Sequence, residues 1–427
     1  MKLEEKHIQE IQDKFSKIEN KQDLLILLNY TKKLIYGLNC NIITLKHLNY
    51  YANPENCVNR YSTFSITKKS GGERQINSPI GGLKTILRVL NCIFHCCFEP
   101  NRAANGFILG KSIVNNAELH IRKNYVYNID LKDFFHSFDR NRVKMALLKE
   151  PFNLNGDKEP IAFLIASLCT HPLIVADNTV KTVLPQGSPT SPTLTNLLCI
   201  VLDRRLNGLA KKFGADYSRY ADDITFSSHH NIFVKEDFQR ELKRIIEDDQ
   251  SLLINVKKTR LQKTGYRKDV TGLTVNEKVN VQKRYVKQIR MWIYYWEKYG
   301  YLRAQQLFSE DFKKDKGYVG EMKGNLGKVI RGKLDFLKMV KGENDSTYIK
   351  LMERLDRLES NKSSIKIILD LWENDGIEAA MEKYYLGYVK IKSQPQSLHT
   401  DEDFGLDDEF VSALLKPTIN EDLIDEI

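Results

Sequence analysis

The sequence predicts an α+β protein organised around a catalytic core, and three observations carry that expectation. Two β-prone runs, Tyr125–Leu131 and Tyr217–Phe226, hold acidic residues: Asp130 in the first, the pair Asp222-Asp223 in the second. Helical stretches at Arg140–Lys149, Thr193–Lys211 and Lys235–Asp248 alternate with them. From Val281 onward the chain reads as mostly helical. Alternation of helices with acid-bearing strands indicates an α/β or α+β core.

The remaining elements follow in chain order. Residues 1–60 read as helices, because Ile8, Ile11, Phe15 and Ile18 recur at spacings of three and four and Leu24–Leu34 continues the stripe. Between Phe64 and Ile80 the pattern becomes short extended runs broken by Ser70-Gly71-Gly72, a hairpin signal. Leu83–Phe98 returns to helix, Val180–Leu184 is extended up to Pro185, and Ser251–Val256 is a further extended run. Pro189 and Pro192 mark the entry to the helix expected from Thr193. The tail from Ser393 holds Asp401-Glu402-Asp403 and Asp407-Asp408-Glu409 and reads as a linker with an acidic segment.

Composition narrows the function classes. No apolar run approaches the roughly 18–20 residues that cross a bilayer. The charged start Met1–Lys6 is not followed directly by an apolar signal region. The expectation is a soluble cytoplasmic protein without a membrane partner. Seven cysteines at irregular spacing argue against a disulfide framework, and Cys92-x-x-His95-Cys96-Cys97 sits in an apolar helical stretch without a second ligand pair. The net charge of +10 is uneven. Residues 361–427 carry 6 basic and 15 acidic residues, which leaves 59 basic and 40 acidic residues ahead of them. A body so basic suits a polyanion, since each neutralised phosphate releases counterions.

Tyr220-Ala221-Asp222-Asp223 lies between β-prone runs, so the two acids belong near a hairpin tip. Adjacent carboxylates repel, and a cation would relieve that cost. Asp130, flanked by Ile129 and Leu131, ends an apolar strand. Oxygen ligands from two such strands can hold two Mg²⁺ ions about 3.5–4 Å apart, the arrangement that supports in-line phosphoryl transfer.

Asp130 in its strand, Leu184-Pro185-Gln186-Gly187-Ser188-Pro189 and Tyr220-Ala221-Asp222-Asp223 occur in the order of the reverse transcriptase palm motifs. Their spacings, about 55 and then 35 residues, also resemble that family. Two further strings resemble the bacterial retron branch: Asn116-Ala117-Glu118-Leu119-His120, preceded by Asn105-Gly106-Phe107, and Val270-Thr271-Gly272. Gly332–Leu337 looks like the end of such a thumb. The resemblance spans roughly residues 30–358.

The resemblance implies a right-hand polymerase of fingers, palm and thumb. It divides the chain into an N-terminal helical region (1–60), fingers (61–127), palm with fingers insertions (128–275), thumb (276–360) and a C-terminal extension with the acidic tail (361–427). Asp130, Asp222 and Asp223 would hold two Mg²⁺ ions. Lys258 would protonate departing pyrophosphate. Lys68, Lys69 and Arg74 would clamp the triphosphate, with Asp133 and Phe134 offering backbone N–H groups. Phe135 would pack under the incoming sugar and select deoxynucleotides, and Gln186 and Gly187 would lie against the nascent base pair. Asn116, His120, Val270, Thr271 and Gly272 would contact nucleic acid. On the helix from Val281, Lys283, Arg284, Lys287 and Arg290 project away from the stripe of Val286, Ile289, Ile293 and Trp296, as a thumb helix tracking a duplex would have them. Trp292, Tyr294 and Tyr295 would stack on bases or pack.

A retron enzyme copies its own structured non-coding RNA from a guanosine 2′-hydroxyl into branched RNA–DNA, multicopy single-stranded DNA. It acts in anti-phage defence with an effector protein, and template removal would fall to a host RNase H. Two alternatives stand beside this: another defence-associated or group II-like bacterial reverse transcriptase, and a catalytically silent RNA-binding scaffold.

Overall fold

The computed structural model describes residues 3–67, 72–174, 179–316 and 324–381. The chain divides into two compact units, one of the described residues up to Ile66 with Glu73–Asn280, the other of Thr67 and Gly72 with the described residues from Val281.

The first unit opens with α1 (Glu5–Ser16), α2 (Lys21–Tyr36) and α3 (Leu45–Ala52). Reciprocal side-chain caps start α2 at Asn20 with Asp23 and α3 at Thr44 with His47. The hairpin β1 (Tyr61–Thr67) and β2 (Glu73–Pro79) follows, then α4 (Gly81–Cys97) and α5 (Ile113–Glu118). Next come β3 (Tyr125–Lys132), α6 (Arg140–Leu147), α7 (Glu159–Cys169) and the pair β4 (His171–Ile174) and β5 (Val180–Val183). The chain continues through α8 (Ser191–Leu198), α9 (Ile200–Phe213), β6 (Asp216–Tyr220), β7 (Asp223–Ser228), α10 (Glu236–Lys243), β8 (Leu253–Ile254) and β9 (Arg260–Lys263). A small hairpin, β10 (Asp269–Val270) and β11 (Leu273–Thr274), ends the unit.

Its central sheet is antiparallel with order β6-β7-β3-β8, and β9 also pairs with β3. Ile129 and Leu131 bury one face of β3 and Val126 the other. Behind the sheet, Phe226 meets Tyr217 at 5.1 Å and Phe238 edge-on at 5.5 Å. One buried cluster runs from Ile11 and Phe15 of α1 through Leu87 and Leu90 of α4 to Ile224 and Phe226. Phe152 joins its parts, lying 5.5 Å from both Phe15 and Phe94. The N-terminal helices therefore share their core with the strands instead of packing apart.

Three elements differ from the sequence expectation. The helix expected over Thr193–Lys211 is two helices meeting at Cys199, beginning already at Ser191 with Pro192 in its first turn. Its apolar stripe continues through the joint, so periodicity does not reveal the break. The helix expected over Lys235–Asp248 is α-helical to Lys243 and widens into a π turn at Arg244–Asp248. Strand β4 was not foreseen, because His171–Ile174 follows the apolar run of α7 without an intervening turn signal.

The second unit contains α11 (Lys283–Lys316), interrupted at Gly300 with φ 74°, α12 (Leu326–Lys341) and α13 (Ser346–Asp375). Ile289, Trp292, Ile293 and Trp296 of α11 are buried within it. Trp292 meets Phe308 edge-on at 4.9 Å, so it packs and offers no face to a base. Arg354 bonds Glu297, and Arg331 reaches both Asp356 and Glu359, tying α13 to its neighbours. The acidic tail lies outside the described residues.

Candidate active site

The site is set by strand register. In the antiparallel pairing of β3 with β7, Asp130 stands directly opposite Asp223. Directly opposed residues place their side chains on the same face with Cβ atoms about 4.5–5.5 Å apart. The Leu131 N–H donates to the Asp222 carbonyl at 3.1 Å, so the turn Tyr220-Ala221-Asp222 is stitched onto β3 as well. All three carboxylates therefore gather at one end of the central strand.

Their electrostatics are unbalanced. Asp222 is held above the usual carboxylate range by burial and by Asp130 nearby. Asp223 is pushed up to about 7, by the protein packed around it first and then by the charges of Asp222 and Asp130, although its side chain stands at the surface where solvent screens part of the shift. Lys258 opposes this, donating to Asp130 Oδ1 at 3.3 Å, while Asn255 donates to Asp130 Oδ2 at 2.8 Å. Among the described residues, no three acidic, histidine or cysteine side chains stand grouped as a ready metal cage. The donor set still fits hard divalent cations: three carboxylates share one sheet end, and two of them resist ionisation without added positive charge.

A buried polar network holds the acid-bearing turn. Ala221 sits at φ 57°, a left-handed conformation unfavourable for a residue with a Cβ. Its carbonyl accepts from Arg219 Nη1 at 3.1 Å. The same guanidinium forms a bidentate pair with Asp203 of α9, both bonds 2.7 Å, and donates to Asn196 Oδ1 of α8 at 3.1 Å. Tyr217 adds a bond to Asp203 at 2.7 Å. Asn196 in turn donates to the Gly106 carbonyl at 2.9 Å. A Cβ on Gly106 would stand 2.7 Å from the Ala221 nitrogen, so glycine is what lets this loop press against the turn. Arg219, Asp203, Asn196, Gly106 and Asn255 escaped the sequence reading of the site. Arg219 next to Tyr220 was the available signal, since a charge inside a β-prone run calls for a buried partner.

The residues expected to face a nucleotide sit on neighbouring elements. Arg74 of β2 is exposed and close enough to ease the charge of Asp222. Lys68 and Lys69 lie outside the described residues. Asn77 of β2 donates to the Gln186 carbonyl at 2.7 Å, and Gly187, at φ 116°, lies where a Cβ would come within 2.8 Å of the Asn77 carbonyl. Asp133 is exposed at φ 47°, and Phe134 buries its ring against Phe138, leaving only its backbone for a ligand. Phe135 is half-buried, and its ring lies 6.4 Å from that of Phe107, which lies 6.4 Å from Tyr220. Of the adjacent Lys257 and Lys258, it is Lys258 that reaches Asp130.

Three expected nucleic-acid contacts are corrected. Asn116 and His120 are both 0% exposed, and His120 is held between Ser227 Oγ and Ser218 Oγ, each at 2.7 Å. Burial pushes its imidazole down to about 3, so it stays neutral and joins α5 to the back of β6 and β7. Val270 is likewise buried, and its string forms a tight hairpin turn at Thr271 (φ 48°) and Gly272 (φ 80°). Thr271 and Gly272 alone of that string remain accessible. In the second unit, Lys283, Arg284, Lys287 and Arg290 are exposed along the first half of α11.

Two outcomes follow from this geometry. Asp203→Ala strands the Arg219 charge in the interior and should lower unfolding free energy by about 3–5 kcal/mol, read from chemical denaturation. In protein stripped of divalent ions, the raised Asp223 pKa means the folded state binds more protons than the unfolded one between about pH 4 and 7. Stability therefore falls as pH rises through that window. Asp223→Asn should raise the Tm at pH 8 and change it little at pH 4, measured by thermal unfolding in a chelator.

The family model for reverse transcriptase (RNA-dependent DNA polymerase) matches residues 66–282. The chain is 32% identical over 263 residues to the retron Mx65 reverse transcriptase of Myxococcus xanthus, covering 60% of each protein. With the retron Mx162 reverse transcriptase of the same organism it shares 37% identity, over 51% of this chain and 47% of the other. It thus spans less than two thirds of the length of these two relatives. With the retron Ec86 reverse transcriptase of Escherichia coli it shares 34% identity, over 55% of this chain and 70% of that one. A telomerase from Candida albicans aligns over 75% of this chain and 66% of that one at TM-score 0.38 and 11% identity, too distant a likeness to bear weight. The chain belongs to the reverse transcriptase family, and within it to the retron type.

Proposed function

We propose that this chain is an RNA-directed DNA polymerase of retron type. The observation that carries the reading is the register that sets Asp130 against Asp223 with Asp222 tied beside them. Asp130, Asp222 and Asp223 would hold two Mg²⁺ ions, which when bound supply charge neutralisation at the triphosphate and activate the primer hydroxyl.

The protein's own residues do the rest. Arg74, with Lys68 and Lys69, neutralises the triphosphate and orients it for in-line attack. The backbone N–H groups of Asp133 and Phe134 bind its oxygens. Phe135 closes the space a 2′-hydroxyl would occupy, and Phe107 supports that ring from the side. The Gln186–Gly187 backbone lies flat against the nascent base pair. Lys258, already directed at Asp130, delivers a proton from Nζ to the leaving pyrophosphate. On the second unit, Lys283, Arg284, Lys287 and Arg290 offer a cationic stripe to a duplex backbone, with Tyr294 and Tyr295 beside it. The exposed Thr271–Gly272 turn makes a further backbone contact.

The retron relatives support a finer reading. The template is a structured non-coding RNA, and synthesis starts from a guanosine 2′-hydroxyl to yield branched multicopy single-stranded DNA. A host RNase H trims the template, and the complex works in the cytoplasm with an effector protein in anti-phage defence. The described residues contain no helix long and apolar enough to cross a membrane.

Purified protein given a primed RNA template, deoxynucleotides and Mg²⁺ should extend the primer, and Asp222→Asn should reduce the rate on the order of a thousandfold while template binding persists. A rate unchanged in Asp222→Asn would defeat the reading. Phe135→Ala should relax discrimination against ribonucleotides by roughly 10–200-fold, read from the ratio of kcat/KM values for the two sugars.

A further inference from the structure

The first unit carries a cleft of about 900 Å³, apart from the acid-bearing strands, where α3 and the segment after it face α6 and α7. None of Asp130, Asp222, Asp223, Arg74 or Gln186 lines it. Three properties of its wall point to one kind of ligand.

The first is charge. Lys21, Arg140 and Lys144 line the cleft against a single carboxylate, Glu159. Glu159 is paired with Lys144 at 2.5 Å, so the excess positive charge comes from Lys21 and Arg140. The second is an aromatic face kept at the surface. Phe163 is 48% exposed although Ile161, Ala162, Leu164 and Ile165 around it in α7 are buried. The Arg140 guanidinium lies 4.9 Å from its ring centroid, a cation and a flat ring presented together. The third is an unanswered polar group. Ser167 is 3% exposed, lines the cleft, and its Oγ has no hydrogen-bond partner. Buried hydroxyls are nearly always paired; this one has almost no surface as it stands, and a turn about its Cα–Cβ bond would offer it to a partner entering the cleft. Behind it, buried Arg60 donates to the carbonyls of Tyr51, Ser167 and Thr170, which stiffens the wall.

We infer that this cleft binds a single-stranded stretch of RNA. One base lies against Phe163, the phosphates are drawn to Lys21 and Arg140, and Asn49, Asn53 and Ser167 meet base edges or ribose hydroxyls. An acidic peptide would answer the charge but leave the ring and the carboxamides unused. A double-stranded segment keeps its bases stacked inside and cannot reach Phe163. The inference rests on the reading of the chain as an enzyme that works on RNA. It adds a holding point for unpaired template or flanking RNA, separate from the polymerising acids.

The test uses the full chain with its polymerase cleft filled by unlabelled primer–template, and labelled oligo-uridine as probe in fluorescence anisotropy. Phe163→Ala should weaken probe binding roughly tenfold, in keeping with the loss of one stacked base. Arg140→Glu should weaken it as well and reduce the salt dependence by about one unit of log–log slope or more. Ser167→Ala should also lower affinity, although it removes an unpaired buried group and leaves Tm unchanged or higher. Primer extension on a pre-annealed template should stay near wild type in all three. Wild-type affinity in Phe163→Ala and Arg140→Glu at unchanged Tm would overturn the inference, as would an acidic peptide displacing the probe as well as unlabelled oligo-uridine does. A wild-type chain that extends no primer defeats the polymerase reading instead, an outcome distinct from either.

Discussion

The pairing of β3 with β7 is the constraint on which the rest depends. Because side chains alternate across a strand, a slip of one residue would turn Asp130 to the opposite face of the sheet. The core opposes that slip, since the same shift would carry buried Ile129 and Leu131 to the face that now bears Asp130. Hydrophobic alternation thus fixes the position of a charged group that gains nothing from folding by itself. The chemistry sits where the apolar packing leaves no alternative register.

Bringing three acids together works against the fold, and the surroundings show how the cost is offset. Asn255 and Lys258 occupy the Asp130 carboxylate from one side. On the other side the turn is gripped from below by Arg219, whose charge is matched by Asp203 in a region without solvent. Replacing such a buried ion pair by apolar residues is often harmless to stability. Its retention beneath the acid-bearing turn fits a role in conformational precision, because it binds the Ala221 carbonyl directly. Three separate stretches, around Gly106, Asn196–Asp203 and Arg219, converge there.

Much of this was legible in the chain. The β-prone runs around Asp130 and Asp222-Asp223 became neighbouring strands, and the extended runs expected between Phe64 and Ile80 became the paired strands β1 and β2, while Ser70 and Gly71 lie outside the described residues. The stripe of Ile289, Ile293 and Trp296 became a buried helix face. What was not legible depended on partners remote in sequence. Asn116 and His120 are polar and short-range patterns suit them for a surface, yet Ser218 and Ser227, about a hundred residues away, satisfy His120 in the interior. Val270 was read as part of a binding string, whereas an apolar residue before a tight turn packs inward. Asp203 and Asn196 carry no local mark at all, lying on helices whose periodicity speaks only of burial.

The bond from Asn77 to Gln186 has a mechanical consequence. Gly187 touches the same strand with no room for even one added carbon, so strand β2 and the loop that carries Gln186 cannot slide past one another. A pull on Arg74 travels along a strand three residues to that contact and arrives as a displacement of the loop. Whatever draws on Arg74 therefore also moves Gln186, as if from a single lever arm.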